Sequence, residues 1–184
     1  MKVFCDMDGV LTDFPRAYNE RRRHLGKEPI PLEKFNEQDF PNAVGDLAWR
    51  IDAELDYHFW ADLPWMPHGL DFLILIEKLF GPQNICLLSF PSHNAETGAA
   101  GKVAWVRREL PQYEMRLLLA MDKRFCASRD AILFDDKPRN AEEFTAAGGW
   151  GCVVPAPWNC AASLTMEKFM HSIEQTFRSL KNSK

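Results

Sequence analysis

Short apolar runs recur along the chain at intervals that leave room for a helix between them: Lys2–Cys5, Ile85–Leu88, Met115–Ala120, Ala131–Phe134 and Cys152–Val154. Each is about strand length and too continuous for a half-exposed antiparallel strand, so the pattern predicts buried parallel strands. Between the runs the period becomes helical. Leu70, Leu73, Ile74 and Glu77–Leu79 follow Pro67 and stop at Gly81-Pro82. Val103, Val106 and Leu110 form a second stripe that Pro111 ends, and a third helix is predicted over Asn140–Ala147, closed by Gly148-Gly149. The alternation predicts an α/β fold built on a doubly wound parallel sheet.

One interval breaks the alternation. About fifty residues, from Phe14 to Trp65, separate the first run from the next core helix, far more than a usual crossover. The stretch reads mostly as helix, interrupted at Pro29, Pro31 and Pro41. The expected organisation is therefore a core of residues 1–13 and 66–184 with an insertion over residues 14–65. The aromatics of the insertion (Phe14, Tyr18, Phe35, Phe40, Trp49, Tyr57, Phe59, Trp60 and Trp65) are expected chiefly as its own core.

A chain of 184 residues, 46% hydrophobic and 26% charged, suits one sizeable core. The net charge of −4 lacks the basic surface that a polynucleotide ligand needs, and leaves small phosphorylated ligands open. Five cysteines, Cys5, Cys86, Cys126, Cys152 and Cys160, are odd in number and show no metal-binding spacing. They are expected to be buried free thiols in a reducing compartment. No apolar run is long enough for a bilayer and an acid arrives at position 6, so no membrane contact and a cytoplasmic location are expected. An oligomer is compatible with the sequence.

The candidate chemistry sits at the ends of the predicted strands. In FCDMDGVLTDF, Asp6 and Asp8 are two residues apart at the carboxyl end of the first strand, where an open α/β sheet collects its ligands. Residues i and i+2 point to one side of an extended chain, so both carboxylates can converge. A solvated Asp-Gly turn is the plain alternative. A calcium loop is not, because that loop needs its glycine sixth and Glu twelfth, whereas here glycine comes fourth and residue 17 is Ala. Asp135 and Asp136 follow a second strand. Adjacent acids raise each other's pKa unless a cation offsets them, and Mg²⁺ with oxygen ligands fits that need, although the helix start after Pro138 would also welcome acids. Ser89 ends the ICLL strand and Lys102 opens the next helix. Singly these read as an ordinary serine and a surface lysine. Together, a hydroxyl and an ammonium converging on four carboxylates suit Mg²⁺ and a phosphate between them.

That ordered set resembles the haloacid dehalogenase-like phosphohydrolases, with DMDGV, Ser89, Lys102 and Asp135-Asp136 matching the four motifs in order. Within them the chain is similar to the 5′(3′)-deoxyribonucleotidases, through DMDGVLTDF, FWADLPWMPHGLDFL, the Ser89-x-Pro91 and Lys102-x-x-Trp105-Val106 spacing, and FDDKPRN. The resemblance implies a Rossmann-like sheet with a small helical cap at 14–65 that selects the substrate, and a Mg²⁺-dependent phosphatase for nucleoside or deoxynucleoside monophosphates. It makes Asp6 the nucleophile and Asp8 the acid/base. Asp6, the Asp8 carbonyl and Asp136 hold Mg²⁺, with Asp135 behind them, and Ser89 and Lys102 bind the phosphoryl oxygens. A phosphatase for another small monoester such as a sugar phosphate, or a silent nucleotide- or protein-binding relative, are the other readings. Three departures stand out. Phe90 replaces a usual second hydroxyl, Lys137 stands where Arg is frequent, and Asp122–Arg129 aligns loosely enough to give neither Lys123 nor Arg124 a role. Gly9 is expected to turn the chain sharply, and Asp13 to be a hinge or structural acid.

Overall fold

The computed structural model describes residues 1–36, 40 and 55–182 of the chain. In chain order the elements are β1 (Lys2–Cys5), α1 (Phe14–His24), α2 (Tyr57–Ala61), α3 (Gly69–Phe80), β2 (Ile85–Ser89), α4 (Ala95–Glu109), β3 (Leu117–Leu119), β4 (Ala131–Asp135), α5 (Pro138–Ala146), β5 (Trp150–Val153) and α6 (Met166–Asn182). The strands form one sheet in the order β3-β2-β1-β4-β5, with every pairing parallel. β1 is central, and the chain builds outward from it first on one side and then on the other. The crevice at the carboxyl ends of β1 and its neighbours β2 and β4 is thus the switch point of the sheet.

Four of the five predicted runs lie within a residue or two of an observed strand. The run at Met115–Ala120 shortens to three residues, because Met115 and Arg116 belong to a 3₁₀ turn over Pro111–Arg116. There the Arg116 guanidinium donates to the carbonyls of Pro82 and Gln112, which holds the chain out of the ladder. The strands bury Val3, Cys5, Ile85, Leu87, Ile132 and Phe134 in the main core. α3 covers one face through Phe72, whose ring meets Phe134 edge-on at 5.2 Å.

α6 is an element that the strand-and-helix pattern above omits. Phe169, Ile173 and Phe177 recur at every fourth position and lie along one helix face. Phe169 packs on Phe72 and Phe177 on Phe80, the two α3 rings that also meet Phe134, so α6 packs beside α3 against the same part of the core. The cysteines also differ from expectation. All five are free, yet only Cys5 is buried and Cys160 is exposed. None of the described helices is long and apolar enough to cross a membrane.

The segment between β1 and α3 leaves and returns along one path. The Asp13 N–H donates to the Pro64 carbonyl at 2.7 Å, the Met66 N–H donates to the Leu11 carbonyl at 2.8 Å, and Thr12 and Trp65 form an antiparallel bridge. Asp13 also caps α1, its side chain accepting from the Arg16 N–H at 3.1 Å. Six of the described aromatics of the segment cluster, while Tyr57 is exposed against His58 and Trp65 packs on Trp105 of the core. Phe14 lies within ring-contact range of Tyr18, Phe35, Phe40, Phe59 and Trp60. α2 packs tightly on α4, since a side chain at Gly101 would put its Cβ 2.4 Å from the Trp60 Cβ. Trp49 lies outside the described residues.

Candidate active site

β1 ends at Cys5, but its ladder runs one residue further, with the Asp6 N–H donating to the Phe134 carbonyl at 2.9 Å. The chain then wraps around Met7, whose carbonyl accepts from the N–H groups of Val10, Leu11 and Thr12. This turn holds Asp6 and Asp8 on either side of a fully buried methionine. Gly9 adopts φ +80°, and a Cβ there would lie 2.4 Å from Asp136 Oδ2, so only glycine allows the turn to sit against that carboxylate.

All six residues singled out from the sequence meet at this crevice. Asp8 accepts from the Thr12 hydroxyl at 3.1 Å and, through its other oxygen, from the Lys102 ammonium. Lys102 is 1% exposed and also donates to the Ser89 hydroxyl at 2.9 Å and to the Phe90 carbonyl at 2.6 Å. The ammonium further stands 4.9 Å from the centre of the Trp60 ring. Asp135 ends β4 and Asp136 follows it, just before α5. Asp6, Asp135 and Asp136 can bring one carboxylate oxygen each within 4.8 Å of one another.

The structure adds four residues to that set. Lys123, from a 3₁₀ turn before β4, places its ammonium 2.8 Å from Asp6 Oδ1 and 2.6 Å from Asp135 Oδ2. Its neighbour Arg124 instead pairs with Asp122 at the surface, which separates the two candidates of the loosely aligned segment. Asn140 donates to both oxygens of Asp135, and the Lys137 N–H donates to Oδ1, so that carboxylate is fully engaged. In the turns after β5, Trp158 Nε1 donates to Asp136 Oδ2 at 2.6 Å and Asn159 Nδ2 donates to the Asp136 carbonyl at 2.7 Å. Asn140 stands in α5 and within FDDKPRN, whereas Lys123, Trp158 and Asn159 come from turns that no periodicity or motif marks.

Charge is unevenly distributed. Burial, reinforced by Asp135 and Asp8 and opposed by Lys123, pushes the Asp6 carboxyl up to about 6. Burial also raises Asp136 well above the ordinary carboxylate range, with Asp135 and Asp6 adding to it. Burial alone would lower Lys123, but Asp6 and Asp135 outweigh it and the ammonium is held charged. Of the three buried carboxylates, Asp6 and Asp135 share the one Lys123 ammonium, and Lys137 is the further cation that offsets Asp136, which leaves acid in excess. Asp136 Oδ1 is buried without a hydrogen-bond partner. An orphaned carboxylate oxygen within an all-oxygen donor set fits a hard divalent cation.

A cavity of about 450 Å³ opens over the crevice. Asp8, Lys102 and Asp136 line it on the core side, and its other walls carry the rings of Phe14, Phe35, Phe40, Trp60, Phe90 and Trp158. Phe90, the residue in place of a second hydroxyl, gives the site its backbone carbonyl and adds its ring to that wall.

No family model matches the chain. It is 31% identical over 145 residues to a Bordetella pertussis protein provisionally named 5′(3′)-deoxyribonucleotidase, a match that covers 75% of each chain. It is 29% identical over 145 residues to the human 5′(3′)-deoxyribonucleotidase of cytosolic type, covering 74% of this chain and 71% of that one. Among solved structures, a HAD-family hydrolase from Deinococcus radiodurans with bound phosphate and sodium aligns at a TM-score of 0.48 and 15% identity, over 88% of this chain and 85% of that one.

Proposed function

The chain belongs to the haloacid dehalogenase-like phosphohydrolases, in the 5′(3′)-deoxyribonucleotidase family, and is a phosphoric monoester hydrolase; from that premise we propose that it hydrolyses nucleoside and deoxynucleoside monophosphates with Mg²⁺. The observation that carries the substrate reading is the cavity, in which an acid–lysine floor meets a wall of six aromatic rings. The floor suits a phosphate, and the rings offer stacking surfaces to a base. A sugar phosphate lacks the planar π-face with which a base would use that wall. Residues 14–65 act as a cap over the crevice in this reading, since the described part of the segment supplies four of the rings.

Asp6 attacks phosphorus, the bond from phosphorus to the sugar oxygen breaks, and Asp8 gives that oxygen its proton. Asp8 then takes a proton from the water that attacks the aspartyl phosphate, which frees phosphate and restores Asp6. Ser89 and Lys102 hold the phosphoryl oxygens, and Lys123 stabilises charge beside Asp6. Asp6, the Asp8 carbonyl and the orphaned oxygen of Asp136 would hold Mg²⁺, while Asp135 is committed to Lys123 and Asn140. When bound, Mg²⁺ neutralises the excess carboxylate charge and that of the phosphate.

Phosphate release measured over nucleoside 5′- and 3′-monophosphates beside sugar phosphates tests this. Nucleotides are expected to lead, with turnover lost in EDTA and restored by Mg²⁺. A clear preference for a sugar phosphate would overturn the nucleotide reading, and full turnover after exhaustive chelation would overturn the metal.

A further inference from the structure

Trp158 reaches two parts of the site at once. Its indole N–H bonds one oxygen of Asp136, and its ring lines the cavity. The residue is 8% exposed and its ring stands 6.5 Å from that of Phe35. On the core side it presses on the turn of β1, where a Cβ at Gly9 would come within 3.0 Å of the ring as well as 2.4 Å of Asp136 Oδ2. The backbone of this region is fixed in turn. Asn159 donates to the carbonyls of Asp136 and Val154 and accepts from the N–H groups of Ala156 and Ala161. The loop carrying Trp158 is thereby laced to the residue whose carboxylate it touches.

An indole is a donor only. It can neither compete with the carboxylate for a cation nor take a proton from it, and it occupies one oxygen while leaving the other. That remaining oxygen, Asp136 Oδ1, is the buried atom without a partner among the described residues. An aromatic chosen merely to fill space would leave both oxygens to turn freely.

We propose that Trp158 is a positioning residue. Its N–H holds Asp136 Oδ2 so that Oδ1 is presented to the cation, and its ring makes the same side chain a wall of the substrate cavity. This rests on the reading of Asp136 as a cation ligand. A hydrogen bond of this kind to a metal-holding group is worth about 10–100-fold in metal affinity.

The test is Mg²⁺ binding to the whole protein by isothermal calorimetry, comparing wild type with Trp158→Phe, which keeps a ring and removes the donor. The expected result is a Kd for Mg²⁺ weakened about tenfold or more. The Mg²⁺ concentration for half-maximal turnover should move with it. A variant that binds Mg²⁺ as tightly as wild type overturns the proposal. A wild-type protein that shows no Mg²⁺ binding overturns the cation reading itself, so the two failures are told apart. Should the variant not fold, the indole N–H signals of the wild type followed by ¹H–¹⁵N NMR through a Mg²⁺ titration decide instead. The Trp158 signal is expected to shift along the binding curve, and an unmoved signal at saturation rejects the role.

Discussion

Two lysines meet two aspartates at the end of β1, in surroundings that differ. Lys123 is enclosed with Asp6 and Asp135, all three side chains at most 7% exposed. Lys102 is as deeply buried, but its partner Asp8 keeps 24% of its side-chain surface and both residues line the cavity. In the enclosed set Lys123 is the cation shared by two buried carboxylates, so its loss would burden folding as well as charge balance. At the cavity Asp8 can be rehydrated, so the pair there is free to serve the substrate. The same two residue types thus divide into a clamp and a working pair according to whether solvent reaches the acid.

Asp6→Asn should have the largest effect on that division. Turnover measured by phosphate release is expected to fall by about 10³-fold or more, because the proposed nucleophile is removed. Metal-free thermal stability should hold or rise, since a carboxylate whose charge is disfavoured by burial is gone. Phosphate release near the wild-type rate would remove Asp6 from the chemistry.

The lysines separate next. Lys123→Met is expected to cost about 3–5 kcal/mol in denaturant unfolding, as a broken buried pair does. Lys102→Met should cost less than half of that and yet lower turnover by about 10²–10³-fold. Equal stability losses would erase the distinction between clamp and working pair.

The smallest effect is one of pH. Asp6 is raised to about 6 and Asp136 is raised as well, so between about pH 4 and 6 the metal-free folded protein holds protons that the unfolded chain releases. The contribution of Asp6 to stability is present at the acid end of that window and is lost as pH rises through about 6, and that of Asp136 has the same sign. Mg²⁺ binds the deprotonated groups, so it should raise the melting temperature more at pH 7.5 than at pH 5. Thermal unfolding in EDTA and in Mg²⁺ at both values checks the sign. A Mg²⁺ effect that is larger at pH 5 would mean that the enclosed carboxylates are not what the cation meets.

The parts of this site that could be read in the sequence are those attached to periodic elements. Asp6, Ser89 and Asp135 stand where an apolar run stops, and Lys102 shares a helix with Trp105 and Val106, both buried. Lys123 had no such flag. It lies 12 positions before Asp135 in a turn beside Arg124, and only the three-dimensional path sends one cation inward and the other to Asp122. Trp158 and Asn159 come from the loop after the last strand, and their partner is reached across 22 and 23 positions of chain. Both are fixed by contacts that no local pattern encodes. The C-terminal helix is another matter: Phe169, Ile173 and Phe177 carry a helical period, hidden in a stretch whose overall polarity reads as a tail.

The paired connection at Leu11–Asp13 and Pro64–Met66 has a consequence for how such a molecule can change over generations. The ends of a fifty-residue excursion are already stitched together by the core's own backbone, at a distance set before the excursion is specified. The entropy of closing such a loop grows only with the logarithm of its length. Residues can therefore be gained, lost or exchanged between those stitches with little penalty to the sheet, and the carboxylates at the end of β1 would keep their places. The architecture keeps a part that must stay constant on one side of a seam and a part free to vary on the other.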